Sequence, residues 1–467
     1  MLEPERQIEA PRGSFLGHVN VVMLTYALDG ALAFASGVLV ARALGPDGRG
    51  AFALFIVTTA IAQMVLGIGF GNAAVYFINK RELALRDVVS AAHVVTLGSL
   101  AIMAAAVGAI APWAGDRVLG EHISPWLLIA AVPMLIYASA LRVLLQALSR
   151  FAAMGVATIA QPAVMLVLVA SDYAFGDPSP SRMVAFWIVS NGAAALVSLA
   201  CVGLANVDIA QIVRPRWAVL RKLARFGVQG EAGNVLQLMN YRLDQYIVRG
   251  FVGLGGVGIY AVGVSMTEAV WLIANAVAIV LLPRLTSADD DEARWMAPVA
   301  ARNTILVAAC GAAALAIAAP VLVPALFRHE YDDSVRVLWL LLPGTVALTG
   351  SKVLTSYIFS RGRPLVNTTI TLVSLVVTVP ALFALVPRFG VNGAAAASSL
   401  AYIAHFAAAL YAYRRISGEP VLEAVLTRPS DARLYADALR GALARLMRRP
   451  AAGAVPTSAV TPPGRGG

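Results

Sequence analysis

Twelve long apolar runs follow one another along the chain, and they constrain its fold more than any other feature. Most approach the roughly 20 residues that an α-helix needs to cross a bilayer. They lie near residues 19–43, 51–78, 88–112, 126–147, 151–172, 183–205, 228–250, 257–283, 300–327, 335–358, 365–387 and 391–413. Only 13% of the residues are charged, against roughly 25% in soluble domains. The sequence therefore predicts an all-α polytopic membrane protein with about twelve transmembrane helices.

Basic residues are unevenly distributed over the connections between these runs. If the N-terminus is cytoplasmic, the connections on that side hold clusters such as Lys80, Arg81 and Arg86, whereas the opposite side holds isolated arginines such as Arg117 and Arg182. This asymmetry follows the positive-inside rule and predicts that both termini are cytoplasmic. The net charge of +10 therefore reflects membrane topology, and we expect no nucleic-acid partner. The short outer connections leave no space for a soluble domain there.

A short pattern of two glycines, an aromatic residue and an alanine occurs twice. It follows the first apolar run at 45–53 and the seventh run at 253–261, so the copies are offset by 208 residues (253 minus 45). The offset covers six spans, an even number, so the two halves have the same orientation, as in transporters built from parallel repeats. The pattern predicts two six-helix bundles related by a parallel internal repeat.

The repeat and the charge pattern together divide the chain into four parts. Residues 1–206 are predicted to form the N-terminal six-helix bundle, 207–227 a cytoplasmic amphipathic connector, 228–415 the C-terminal six-helix bundle, and 416–467 a cytoplasmic basic amphipathic helix followed by a disordered tail. We expect the connector to lie on the membrane surface. The tail helix either contacts anionic lipid or presents a solvated charged face.

The seventh span is unusually polar for a membrane helix. At 100° per residue, Glu231, Asn234, Tyr241, Arg242, Gln245 and Arg249 fall within roughly 100° of arc, and Gln237, Asn240 and Asp244 extend that arc. Such a face does not contact lipid, so it lines either a hydrated cavity or a hydrogen-bonded helix seam. The guanidinium of Arg242 suits an anionic substrate, because its fork matches phosphate oxygens. The candidate substrate-binding residues are Arg242, Asn234, Gln245, Glu231, Gln237, Arg249 and Arg42.

Three acidic residues inside predicted spans need a separate account. A charge at the centre of a membrane helix costs about 2.5–3.5 kcal/mol on insertion scales. Asp29, Asp244 and Glu268 are therefore candidates for ion coupling or for a counter-charge to Arg242, with a helix-packing hydrogen bond as the structural alternative. Arg142 and Lys352 lie nearer the inner ends of their spans, where long basic side chains reach the interface.

Catalytic and cofactor sites are not indicated. The histidines lack metal-ligand spacing, and the two cysteines lie far apart in apolar runs. Residues 253–258 match G-x-G-x-x-G, but the motif follows a membrane span and lacks the βαβ context of a dinucleotide site. We therefore expect no catalytic residue, no metal and no cofactor.

Several segments resemble a known family of membrane proteins. They are Gly37 to Phe52, the glycines at 67, 69 and 71, Asn240 to Val248, Gly253 to Tyr260, and Leu282 to Leu285. They are similar to the O-antigen and exopolysaccharide flippases of the multidrug, oligosaccharidyl-lipid and polysaccharide exporter superfamily. The resemblance implies a transporter of the bacterial cytoplasmic membrane that moves a glycan linked to undecaprenyl pyrophosphate to the outer leaflet by alternating access. Its partners would be the lipid-linked oligosaccharide, anionic membrane lipids and other glycan assembly proteins.

The same resemblance implies residue roles. Arg242 would attract the pyrophosphate, Asn234 and Gln245 would bind sugar hydroxyls, and Arg42 and Arg249 would act at the outer mouth. A cation-coupled drug or metabolite antiporter of the same superfamily is the alternative, with Asp29 as its ion-coupling carboxylate. Arg242 disfavours that alternative because it repels organic cations. The short outer loops argue against a third class, a membrane-embedded glycan polymerase or ligase.

Overall fold

The computed structural model describes residues 15–120, 123–203, 216–428 and 431, and this part of the chain is built of helices. They are α1 (Phe15–Leu66), α2 (Phe70–Asn79), α3 (Leu85–Leu119), α4 (Leu127–Ala147), α5 (Phe151–Phe175), α6 (Pro180–Val202), α7 (Trp217–Phe251), α8 (Leu254–Ser287), α9 (Asp290–Phe327), α10 (Asp333–Ser360), α11 (Pro364–Ser417) and α12 (Leu422–Val425). A short 3₁₀ turn, His329–Tyr331, precedes α10.

Within the described ranges these helices make twelve membrane crossings. Nine of the described helices are long and apolar enough to span a bilayer. Two of the nine, α1 and α11, bend sharply at Gly45 (φ 65°) and Gly390 (φ 57°), so each supplies two crossings. The polar helix α7 supplies the twelfth. The predicted polytopic fold is confirmed, and glycine permits both bends because it adopts positive φ without a steric cost.

The twelve crossings form two lobes that, apart from α7, meet on one side of the molecule only. We name the two sides the Gly45 face, where α1 bends, and the Lys80 face, where α2 ends. Near the Gly45 face one apolar core contains residues of both lobes, including Phe52 of α1 and Tyr260 of α8. Toward the Lys80 face the cores are separate, one in α2 to α7 and another in α8 to α12. The lobes are therefore joined at the Gly45 face and separated toward the Lys80 face.

The two copies of the glycine pattern contact each other at this junction. A Cβ atom on Gly50 would lie 2.0 Å from the carbonyl oxygen of Leu254, and one on Gly258 would lie 2.0 Å from that of Pro46. No residue with a side chain fits at that separation. The repeat glycines thus allow α1 and α8 to cross in backbone contact, which is the closest approach that two helices can make.

Helix α7 belongs to both lobes. Its first turns pack on the first lobe, where Leu223 is buried in the core that includes α2 and α3. Gly227 then touches the break between α1 and α2, since a Cβ on Gly69 would lie 2.3 Å from the Gly227 carbonyl oxygen. Of the predicted connector, residues 207–215 lie outside the described residues, and the remainder is continuous with the seventh span. Its position on the membrane surface stays a prediction.

The segment after α11 folds back onto the second lobe at the Lys80 face. The carboxylate of Asp431 accepts hydrogen bonds from Nε and Nη2 of Arg302 at 2.7 and 2.6 Å, and from the backbone N–H of Arg428 at 2.9 Å. Both side chains of the pair are buried, and Ala424 of α12 is fully buried beside them. Of the predicted tail at 416–467, the structure describes residues 416–428 and Asp431, and the rest lies outside the described residues.

An Asp431→Asn variant is expected to release this segment. Removing one member of a buried ion pair costs roughly 3 kcal/mol, because the other charge stays buried without its partner. Hydrogen exchange over residues 422–428 should therefore accelerate by about 100-fold. Exchange at the wild-type rate would show that the pair does not hold the segment, and Glu423→Gln, which loses a partly exposed pair with Arg428 and keeps the Arg302–Asp431 pair, serves as the control.

The same contact has a defined pH dependence. Hydrogen bonding by Arg302 lowers the pKa of Asp431 below its ordinary value, so the folded state favours the charged form. The stabilisation is complete above the unfolded value of about 4 and declines as the pH falls through the lower folded value. Protection of residues 422–428 should follow this curve in the wild type and be insensitive to pH in Asp431→Asn.

Candidate functional site

A central cavity of about 460 Å³ lies between the lobes, next to the Gly50–Gly258 contact. Its walls come from both arms of α1, from α5 and α6, and from α7 and α8. The charged residues that line it are Arg49, Arg242 and Glu268, which give a net charge of +1. The cavity therefore favours an anionic ligand over a cationic one.

Arg242 lies on the wall that the second lobe contributes. Its Nη2 is 2.8 Å from Oε1 of Glu268 on α8, and the two side chains are 28% and 34% exposed. The counter-charge that contacts Arg242 is therefore Glu268. A guanidinium has five N–H donors, so this single contact leaves donors that can reach an anion in the cavity.

Arg49 is the cavity residue that the sequence reasoning did not identify. It lies on the second arm of α1, with its guanidinium 5.8 Å from the ring centre of Phe52, and it interacts electrostatically with Arg242 and Glu268. Its Nε is buried and has no hydrogen-bond partner among the described residues. A buried donor without an acceptor costs about 1–3 kcal/mol, so a ligand that supplies an acceptor here is bound more strongly.

The sequence could have indicated Arg49 through its position on one face of the helix. Phe52, Ala53 and Ile56, at spacings of three, four and seven from Arg49, line the same cavity. The surrounding Gly45 to Gly50 segment resembles a loop in sequence, but the structure has helix immediately after Gly45.

Two further openings lie nearer the Lys80 face than the central cavity does. The next is an inner cavity lined by Gln63, Asn72, Glu231 and Asn234, and the two cavities share the second arm of α1 as a wall. Beyond it a wide groove lies between α2, α4 and α7. The inner cavity and the groove have Gly71, Asn72 and Val143 in common. The inner cavity therefore opens into the groove, and the second arm of α1 extends from Arg49 to the inner cavity.

Gln237, Asn240 and Asp244 of α7 form a hydrogen-bonded seam with neighbouring helices, which the sequence left open as the alternative to a cavity. Asn240 bonds Ser374 and Thr378 of α11, and Gln237 accepts a hydrogen bond from Thr371. Asp244 is buried and accepts hydrogen bonds from the Tyr260 and Ser398 hydroxyls at 2.5 and 3.1 Å, and from the Gln245 backbone N–H at 2.8 Å. Gln245 itself lines the central cavity.

Three other sequence candidates are not among the residues that line the central cavity. Arg42 donates to the carbonyl oxygens of Ala325 and Leu326 at the end of α9. Arg249 has a buried Nε without a partner among the described residues. Asp29 interacts electrostatically with Arg142. Of the predicted substrate-binding residues, the structure thus brings Arg242 and Gln245 together in the central cavity, and Glu231 and Asn234 in the inner cavity.

Comparison of the sequence with known families gives one match. The sequence profile of the family described as polysaccharide biosynthesis protein matches residues 39–336. This range contains both copies of the glycine pattern and most of the residues that line the central cavity. No curated protein sequence matches the chain.

Solved structures with the same fold are transporters. The lipid II flippase MurJ, in an inward closed conformation, superposes with a TM-score of 0.70 at 12% identity, over 86% of this chain and 89% of that one. An inward-facing multidrug resistance MATE family transporter of the MOP superfamily gives 0.62 at 15% identity, over 85% and 98%. A MOP superfamily transporter from Pyrococcus furiosus, described as having a binding pocket of reverse polarity, gives a TM-score of 0.58 at 14% identity, over 86% and 94%. At identities this low, the superpositions establish a shared fold and nothing beyond it.

Proposed function

Because the chain belongs to the polysaccharide biosynthesis protein family, we propose that it is a flippase that moves a glycan linked to undecaprenyl pyrophosphate across the bacterial cytoplasmic membrane. The protein carries out no covalent chemistry in this proposal. It lowers the barrier to moving a charged, hydroxyl-rich group through hydrocarbon, while the lipid tail stays in the bilayer.

The observation that carries the proposal is the pair of arginines in the central cavity. Arg49 and Arg242 come from different lobes and lie close enough to interact electrostatically. The two cations repel each other, and Glu268 supplies one negative charge against their two positive charges. A pyrophosphate carries the charge and the acceptor oxygens to pair with both guanidinium groups. Its binding would relieve the repulsion and would also link the two lobes.

Glu268 has a defined role in this proposal. It holds Arg242 while the cavity is empty, and the arriving pyrophosphate competes with it for the same donors. When the substrate leaves, Glu268 pairs with Arg242 again, which limits how tightly the substrate is held. A transporter needs such a competitor, because a substrate that binds too strongly is not released.

The direction of transport follows from the proposed topology. With the Lys80 face in the cytoplasm, the described conformation is closed to the outside at Gly50 and Gly258 and open to the inside. The substrate enters from the cytoplasmic leaflet, and the lobes then rock so that the cavity opens at the Gly45 face. We propose that Arg42 and Arg249 act at that outer mouth, that Glu231 and Asn234 bind sugar hydroxyls in the inner cavity, and that Gln245 does so in the central one.

Ion coupling is proposed at Asp244. Its carboxylate is surrounded by hydroxyl groups, and the Asn240 amide lies one helical turn away in the same seam with α11. Oxygen atoms of this kind are suitable ligands for a small cation. We propose that Gln237 extends the same polar region and that Asp29, which interacts with Arg142, is a second candidate for coupling.

Reconstitution in liposomes tests the proposal. Proteoliposomes should flip a labelled undecaprenyl-pyrophosphate-linked oligosaccharide at least tenfold faster than protein-free liposomes and should not export a cationic dye. Export of dye without movement of the lipid-linked oligosaccharide would establish the antiporter alternative instead. Imposed sodium or proton gradients in the same vesicles test coupling, and an Asp244→Asn variant should then lose its response to the gradient.

A further inference from the structure

The groove between α2, α4 and α7 is, we infer, a second binding subsite for the sugar portion of the substrate, separate from the arginine pair. This inference rests on the proposed function, because it concerns the glycan of the same lipid-linked molecule. The groove has a volume of about 730 Å³. It lies at the Lys80 face and adjoins the inner cavity, with which it shares Gly71, Asn72 and Val143.

Helix α2 presents a polar face to this groove. Asn72, Tyr76, Asn79 and Lys80 are all exposed and line it. At 100° per residue they occupy roughly 100° of arc, while Phe70, Ala73, Ala74 and Phe77 are buried on the other side. This helix is the second half of a membrane crossing, where a polar face of this kind is retained only against a hydrated space or other polar groups.

The amide side chains on the groove are available for a ligand. Asn72 and Asn79 of α2 and Gln146 of α4 are exposed and line the groove, and no hydrogen bond joins their side chains to another of the described residues. Each amide offers two N–H donors and one carbonyl acceptor. A sugar hydroxyl both donates and accepts, so a cluster of amides from two helices matches the surface of an oligosaccharide.

An aromatic stack forms the floor of the groove beside these amides. The rings of Tyr76 and Phe226 are stacked with centroids 4.5 Å apart, and Lys80 lies 5.4 Å from the Tyr76 ring centre. Phe226 belongs to the first turns of α7, which pack on the first lobe. The stack therefore fixes α7 against α2 and keeps the groove wall rigid. Among the described residues, Lys80 is the only charged one that lines the groove, so the groove suits sugars, including acidic ones, better than a pyrophosphate.

The spacing between the two subsites requires an extended ligand. Arg242 and Phe226 are 16 positions apart on one continuous helix, which corresponds to about 24 Å along its axis. A bare pyrophosphate would reach only the region of the arginine pair. An oligosaccharide attached to it would pass through the inner cavity, where Asn234 and Asn72 lie, and would reach the groove. The groove would thus select for substrates that carry a glycan of sufficient length.

Binding measurements on the protein in nanodiscs test this subsite with two probes. One probe is undecaprenyl-pyrophosphate-linked oligosaccharide purified from the host strain, and the other is undecaprenyl pyrophosphate without sugar. The triple variant Asn72→Ala, Asn79→Ala, Gln146→Ala should bind the first probe at least tenfold more weakly, the effect of two or three lost hydrogen bonds, and the second within twofold of wild type. A Gln146→Trp variant, which fills the groove without removing the α2 amides, should give the same pattern.

Each other outcome overturns a specific claim. Wild-type binding of the glycan probe by both variants would rule out the groove as a subsite and leave the flippase proposal standing. Equal weakening of both probes would assign the groove to the lipid or its phosphates instead of the sugar. Failure of the wild-type protein to bind either probe would overturn the proposed function and the subsite with it. Arg242→Ala, which should weaken both probes, shows that the assay reports on the central cavity.

Discussion

An Arg49→Ala, Arg242→Ala double variant is expected to lose transport of the lipid-linked oligosaccharide almost completely. Hydrogen bonds to charged groups contribute about 1.5–3 kcal/mol each, so removing both guanidinium groups should weaken binding of the pyrophosphate by roughly 10² to 10⁴-fold. The initial flipping rate in proteoliposomes at subsaturating substrate should fall by the same factor. Each single variant should show a smaller loss, and Arg49→Ala tests the residue that only the structure identified.

Two controls separate substrate binding from damage to the fold. Arg242→Ala leaves Glu268 unpaired, so the double variant is repeated with Glu268→Gln, which should not restore transport. Arg336→Ala removes an exposed arginine near the Gly45 face that does not line the cavity and should transport normally. Lysine at both positions should recover part of the activity, because it restores the charge without the bidentate fork. Transport by the double alanine variant within twofold of wild type would exclude the arginine pair as the pyrophosphate site.

A Gly258→Val variant is expected to keep the Gly45 face from closing. The new Cβ would lie 2.0 Å from the carbonyl oxygen of Pro46, and neither backbone can move without separating α1 from α8. A thiol at Ser265, which lines the central cavity, should then react at least tenfold faster with a membrane-impermeant reagent added at the Gly45 face. Transport should fall below a tenth of the wild-type rate, because the closed conformation is one of the two that alternation requires.

Reactivity and activity are measured in one background in which Ser265→Cys is combined with alanine at the native Cys201 and Cys310. Gly250→Ala is the matched control, because a Cβ there meets no atom within 4 Å. It should leave both the labelling rate and transport unchanged. If Gly258→Val transports normally and does not expose the thiol, the glycine contact is not the closure of this face.

The crossings could be predicted from sequence because hydrocarbon imposes one length on every apolar run. The contacts of individual polar residues could not be predicted, because they depend on how the two lobes pack. Arg42 and Arg49 are seven positions apart and would share a face on a straight helix. The bend at Gly45 instead directs Arg42 to the carbonyl end of α9 and Arg49 to the cavity. A sequence pattern locates such a glycine but does not give the angle of the bend.

The polar arc of α7 illustrates the same limit. Its width correctly indicated that the helix does not contact lipid on that side. The arc proved to contain two environments: Arg242 and Gln245 line the central cavity, whereas Asn240 and Asp244 are bonded to α8 and α11. Both the cavity and the seam that the sequence left open as alternatives are present, on adjacent sides of one helix. Only the positions of neighbouring helices separate them.

The continuity of α7 has a consequence for how the protein is made. Membrane helices are synthesised in order from the N-terminus, and the first six crossings are complete before α7 emerges. Yet Leu223 and Phe226 of α7 are part of the core that also contains Phe77 of α2 and Leu145 of α4. Until they arrive, that core remains open toward the Lys80 face. The first bundle therefore cannot mature alone during synthesis, and its final step of assembly is also the step that recruits the second bundle.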